Sequence, residues 1–75
     1  MTTTADDREA LAQLAEQLGW ERKAHERVDV YVRGLVHVHA IWRDNNVLNG
    51  GAHYDDGILQ AHSTDLTKVQ TWLAK

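Results

Sequence analysis

The chain contains no cysteine, no proline and no phenylalanine. Without cysteine there is no disulfide, no thiolate metal site and no thiol chemistry, so a small core must be held by packing alone or by self-association. With no proline, no low-complexity stretch and no internal repeat there is no linker to divide the chain. Residues 1–75 therefore read as a single domain, with 1–3 as a flexible tail. An apolar run of ~18 residues is missing, as is a charged segment leading into an apolar core, so neither a membrane span nor a secretory leader is visible. The expected location is the cytoplasm, with no membrane partner. Positive charge is scarce as well. Eight Lys and Arg against eleven Asp and Glu give a net charge of -3, which repels polyanions and disfavours nucleic acid unless the cations share one face. The densest basic stretch, Arg22, Lys23, His25 and Arg27, is interleaved with Glu21 and Glu26 and reads as a solvated connection.

What is present is periodic. Thr4, with Asp7 three positions on, makes a capping-box-like start, and a helix is expected from near Ala5, with Leu11, Leu14, Ala15 and Leu18 on one stripe. Gly19 stops it by adopting the left-handed conformation, with Trp20 folding back in a Schellman ending. From Val28 the period becomes two: Val28, Val30 and Val32 point one way, Asp29, Tyr31 and Arg33 the other. Gly34 turns the chain into a second strand that buries Val36, Val38, Ala40 and Trp42. Asp44, Asn45 and Asn46 form the next turn. A third strand, Val47 to Tyr54, presents Leu48, Gly50, Ala52 and Tyr54 inward, and Asp56-Gly57 is a two-residue hairpin signal into a fourth, Ile58 to His62, with Leu59 and Ala61 inward. Ser63 or Thr64 caps a final helix carrying Leu66, Val69, Trp72 and Leu73 on one face. The expected fold class is α+β, αββββα or αβββα, an antiparallel meander with both helices on the face made by the three valines. On this reading an aspartate at Val30 or Val38 would sit unpaired in the core and abolish folding.

Few motifs carry chemistry. Gly50-Gly51 has no following helix and no lysine in the phosphate-loop pattern, and a glycine inside a strand marks a bulge or a close-packed helix instead. Ser63 reads as a cap, and Asp55 and Asp56 lie in a turn, so no nucleophile–base pair or separated carboxylates form a catalytic set. No catalytic residue is assigned and no enzyme is expected. The histidines stand out. If the hairpins pair Val30 with Val38 and Ala40 with Gly50, then His37, His39, His53 and His62 share the uncovered face with Asp29. Such a set suits zinc or a pH-responsive surface; the bland reading is an ordinary polar face, and no other cofactor is implied. His25, in the charged connection, has no assigned role. The same face would carry Tyr31, Leu35, Ile41 and Ile58, and several apolar residues together suggest a contact site. With His37 and His39 these make the candidate interaction face, for another protein or for a second copy.

The order helix, antiparallel meander, helix resembles that of double-stranded-RNA-binding domains, whose length is similar. That resemblance implies nucleic-acid binding through helix ends and loops. It departs at the start of the last helix, where those domains carry a basic cluster and this chain reads Thr64, Asp65, Leu66, Thr67, Lys68. Separately, the richness in Ala, Val, Arg, Asp, His and Trp, with no Phe and few Lys, resembles proteins of a GC-rich actinobacterium or one of its phages. The leading expectation is a small non-enzymatic interaction module presenting an open sheet face, with a homodimer as one form. The alternatives are a nucleic-acid-binding domain and a metal-binding histidine face.

Overall fold

The computed structural model describes residues 7–44 and 47–75. The expected tail at 1–3, the Thr4 cap, the Ala5 helix start and the turn residues Asn45 and Asn46 lie outside the described residues. Helix α1 (Asp7–Gln17) is followed by strands β1 (Glu21–Ala24), β2 (Val28–Arg33), β3 (Val36–Arg43), β4 (Val47–Asp55) and β5 (Ile58–Ser63), then helix α2 (Leu66–Leu73). The strands form one antiparallel sheet in the order β1-β2-β3-β4-β5. Both helices pack on the same face, where Leu11, Ala15, Val69, Trp72 and Leu73 meet Tyr31, Val38, Ala40 and Trp42. The α+β meander flanked by helices is therefore the fold, with one strand beyond those expected.

Local chemistry places the breaks. At the end of α1 Gly19 takes φ 88, its amide donates to the Glu16 carbonyl, and the Trp20 amide donates to the Ala15 carbonyl at 2.9 Å. These are the two hydrogen bonds of a Schellman ending. Asp56 and Gly57 both have positive φ, 54 and 79, as a hairpin matched to the strand twist requires. At the second helix, neither Ser63 nor Thr64 is the cap. Asp65 is, its Oδ1 accepting from the Thr67 amide at 2.9 Å, while Ser63 Oγ accepts from the Asp65 amide. Trp20 Nε1 donates to the Leu73 carbonyl, and Arg33 donates to the Leu18 and Lys75 carbonyls while lying 4.4 Å from the Trp20 ring centroid. One arginine thus holds the negative ends of both helices against the sheet.

The charged segment read as a connection is in part strand β1, which pairs through all four residues with β2 and is exposed throughout. Charged side chains suit an edge strand, which must not recruit further strands. A larger correction concerns β2. Asp29 and Tyr31 are fully buried beneath the helices, and Val28, Val30 and Val32 are half-buried on the opposite face. The register explains it: Tyr31 pairs with Val38 and Val30 with His39, one residue from the expected pairing, and a one-residue slip exchanges the faces. In β4, Ala40 pairs with Gly51 instead of Gly50, so Gly50, Ala52 and Tyr54 leave the helix side. Leu59 pairs with Tyr54 and is likewise uncovered, 49% exposed. Val38 keeps its central buried place, whereas Val30 loses it.

Asp29 is buried because it is neutralised. Arg8 of α1 grips it with two bonds, Nε to Oδ2 and Nη2 to Oδ1, both 2.9 Å. Arg22 adds a contact at 3.2 Å, and the Trp42 indole N–H donates to Oδ2 at 3.1 Å. The Arg8 guanidinium also donates to the His25 and Glu26 carbonyls, fastening the β1–β2 turn. Next to it the Tyr31 hydroxyl is buried without a hydrogen-bond partner among the described residues, and burial, then the Asp29 charge, pushes its phenol up to about 12.

Removing the carboxylate leaves the Arg8 charge and the Trp42 N–H without their acceptor. Asp29→Ala is expected to cost about 3 kcal/mol or more, read as a fall in the urea midpoint at unchanged slope. The glycine pair provides a second check. A Cβ on Gly51 would lie 2.6 Å from Val69 Cγ2, whereas one on Gly50 meets nothing within 4 Å. Gly51→Val is expected to destabilise by ~2 kcal/mol or more through overpacking, and Gly50→Val to leave the midpoint within ~0.5 kcal/mol of the parent.

Candidate functional site

Directly paired residues of an antiparallel sheet share a face, so the register maps the side that the helices leave open. One row is Glu21, Val32, His37, Tyr54 and Leu59; the next is Lys23, Val30, His39, Ala52 and His62. Val28, Ile41 and Gly50 follow, then Arg43 and Val47. Between β2 and β5 the first three rows contain no Asp, Glu, Lys or Arg, in a chain that is 25% charged. Ile41, Val47 and Leu59 are 40%, 40% and 49% exposed. The surface is a continuous aliphatic and imidazole face whose formal charges are confined to the β1 edge and the far end of β3.

This face contains half of the residues assigned to it from the sequence. His37, His39 and Ile41 lie in its centre. Tyr31 does not; it is buried under the helices. Leu35 sits in the β2–β3 turn, 66% exposed, and Ile58 pairs with Asp55 on the helix side of the sheet. The sequence reading missed Val28, Val30, Val32, Tyr54 and Leu59. Their period of two was visible, but hydrophobicity by itself assigns the most apolar set of a strand to the core.

The histidines divide in the same way. His37, His39 and His62 share the open face, whereas His53 pairs with Val38 and Ala61 on the other side and stacks on Trp72, with centroids 5.8 Å apart. The expected set of four does not come together, and Asp29, the carboxylate expected beside it, is held by arginines on the opposite face. Among the described residues no group of three or more His, Asp or Glu side chains is arranged to hold a metal ion. His39 is half-buried and its ring lies 4.9 Å from that of Tyr54. Burial, and then the neighbouring His37, hold its imidazole below the ordinary histidine value of 6.5.

A cavity of about 330 Å³ lies beside α1 and the start of β1, lined by Glu9, Ala12, Gln13, Glu16, Trp20 and Arg22. Its wall holds two carboxylates and a guanidinium but no histidine, serine or lysine, and none of its lining residues is on the open face. Comparison with family models, with curated proteins and with solved structures finds no match to this chain.

Protonating His39 places charge on a face where His37 is its neighbour along β3, Tyr54 lies beside it, and His62 and Lys23 lie in its row. Glu21 is the face's carboxylate. Because folding lowers the affinity of His39 for protons, the unfolded chain binds more of them as pH falls. The stability tied to His39 is complete above 6.5 and is lost as pH drops below it. Urea midpoints at pH 7.5 and 5.0 are expected to fall further in the parent than in His39→Gln; equal falls in both would show that His39 is not responsible.

Proposed function

We propose that this chain is a small non-enzymatic protein-interaction module whose contact surface is the open face of the sheet. The observation that carries the reading is the orientation of β2. Of its two alternating sets, Asp29, Tyr31 and Arg33 go toward the helices while Val28, Val30 and Val32 are turned away from them. Three valines flanked by Ile41, Val47, Tyr54 and Leu59 make an apolar patch on one face, the property that separates interaction surfaces from the scattered apolar residues of ordinary ones. The scarcity of charge toward its centre, with an aromatic residue present, matches the cores of protein interfaces.

The cations support a protein in preference to a nucleic acid. Of eight Lys and Arg, Arg8 and Arg22 are committed to Asp29, and Arg33 to the helix ends. Those remaining are scattered over β1, the β1–β2 turn, β3, α2 and position 75, which offers no basic strip for a phosphate backbone. None of the described helices is long and apolar enough to cross a membrane.

The test is a photo-crosslinking residue placed at Ile41, with Lys68 on the exposed side of α2 as the control position, each irradiated in an extract of the native host. Protein adducts from position 41 but not from position 68 are expected. Equal labelling at both, or none at 41, would overturn the reading.

A further inference from the structure

We infer that the occupant of the open face is a second copy of this chain, packed sheet on sheet about a two-fold axis that runs across the strands between the row of Glu21 and the row of Lys23. The inference rests on the interaction-face reading and names its partner.

Charge is the first argument. The whole chain carries a net charge of -3, so two copies brought together through most surfaces repel. The open face is different, because in its two leading rows the one carboxylate, Glu21, and the one ammonium, Lys23, cancel. They lie two residues apart on β1 and point to the same side. A two-fold axis between their rows exchanges the rows, so each Glu21 comes within side-chain reach of the partner's Lys23, and the pair occurs twice. An isologous contact needs this self-complementarity: one patch must satisfy itself.

Shape follows the same exchange. Row for row, Val32 lies against the partner's Val30, His37 against the partner's His39, and Tyr54 against the partner's Ala52. The largest side chain of the patch thus opposes one of the smallest. The exchange also brings imidazoles of the two copies together at the centre, which holds while they are neutral and fails when they are charged.

Area sets the strength. The axis superposes the first two rows alone, and five strands at ~4.8 Å spacing by two rows at ~6.8 Å give ~330 Å² per copy. About 1,000 Å² in total is the lower bound for a specific interface. At ~650 Å² in total the contact falls below that bound, so the result is a weak, reversible dimer.

Sedimentation equilibrium or light scattering on a dilution series at pH 7.5 reads the mass directly. The expected mass rises with concentration from 8.5 kDa toward twice that value. Ile41→Lys, on the open face one row beyond the overlapping pair and outside the core, is expected to raise the dissociation constant several-fold while the circular dichroism spectrum and urea midpoint of the monomer stay unchanged. The charge pair supplies the second arm. Glu21→Lys and Lys23→Glu are each expected to weaken self-association several-fold, and an equimolar mixture of the two variants to associate more tightly than either alone. A mass of 8.5 kDa at every concentration, or a dimer indifferent to both the Ile41 and the charge variants, would overturn the inference. The two failures are separable. Adducts at position 41 with a different protein, from a chain that is itself monomeric, would remove the second copy and leave the interaction module standing.

Discussion

The bidentate bond between Arg8 and Asp29 is the interaction on which the rest of the arrangement depends. A carboxylate at zero exposure in the middle of a five-stranded sheet is tolerable only if its charge is matched and its lone pairs are used. Arg8, Arg22 and the Trp42 indole meet both needs. In meeting them they join α1, β1, β2 and β3 at one point, and through the His25 and Glu26 carbonyls the β1–β2 turn as well. The pair decides which side of β2 faces the helices, and that choice propagates through the register to every strand that follows.

Its consequence is a domain with its polar anchor inside and an aliphatic stripe outside. Turning Asp29, Tyr31 and Arg33 toward the helices leaves the core to be filled by Tyr31 with Leu11, Val38, Trp42, Val69, Trp72 and Leu73, and the valines of β2 are left over. For a chain with so small a core, leaving three β-branched residues half in water weakens the isolated fold, since each has apolar area that another surface would bury. The same residues are the apolar area that the proposed contact would cover. The fold and the proposed contact are therefore two results of one placement of charge.

Much of the architecture is legible residue by residue, and the reason is locality. Gly19 and Trp20 end the first helix through bonds to residues three and five positions back. Asp56-Gly57 closes its hairpin through backbone angles intrinsic to those residues, and Gly51 marks the close approach of α2 that a glycine within a strand suggests. The candidate site was half legible. His37, His39 and Ile41 fall on the open face because on β3, unlike β2, the side carrying the apolar set, Val38, Ala40 and Trp42, is the one the helices cover.

Left to itself, then, the amino-acid order determined the elements, their sequence and their turns, because each is decided by neighbours a few positions away. Tertiary structure alone decided which faces those elements present. Arg8 and Asp29 are 21 positions apart, and no local pattern announces that they meet. The expected pairing of Val30 with Val38 leaves a three-residue loop and the observed pairing of Arg33 with Val36 a two-residue one, Gly34 and Leu35, so the register turns on a difference of one loop residue. The bulges add a further shift: Leu48 and Gly51, three residues apart on β4, both face the helices because the ladder slips opposite Ile41 and Trp42. Strict alternation forbids that, and only the folded sheet, twisting to cover its core, requires it.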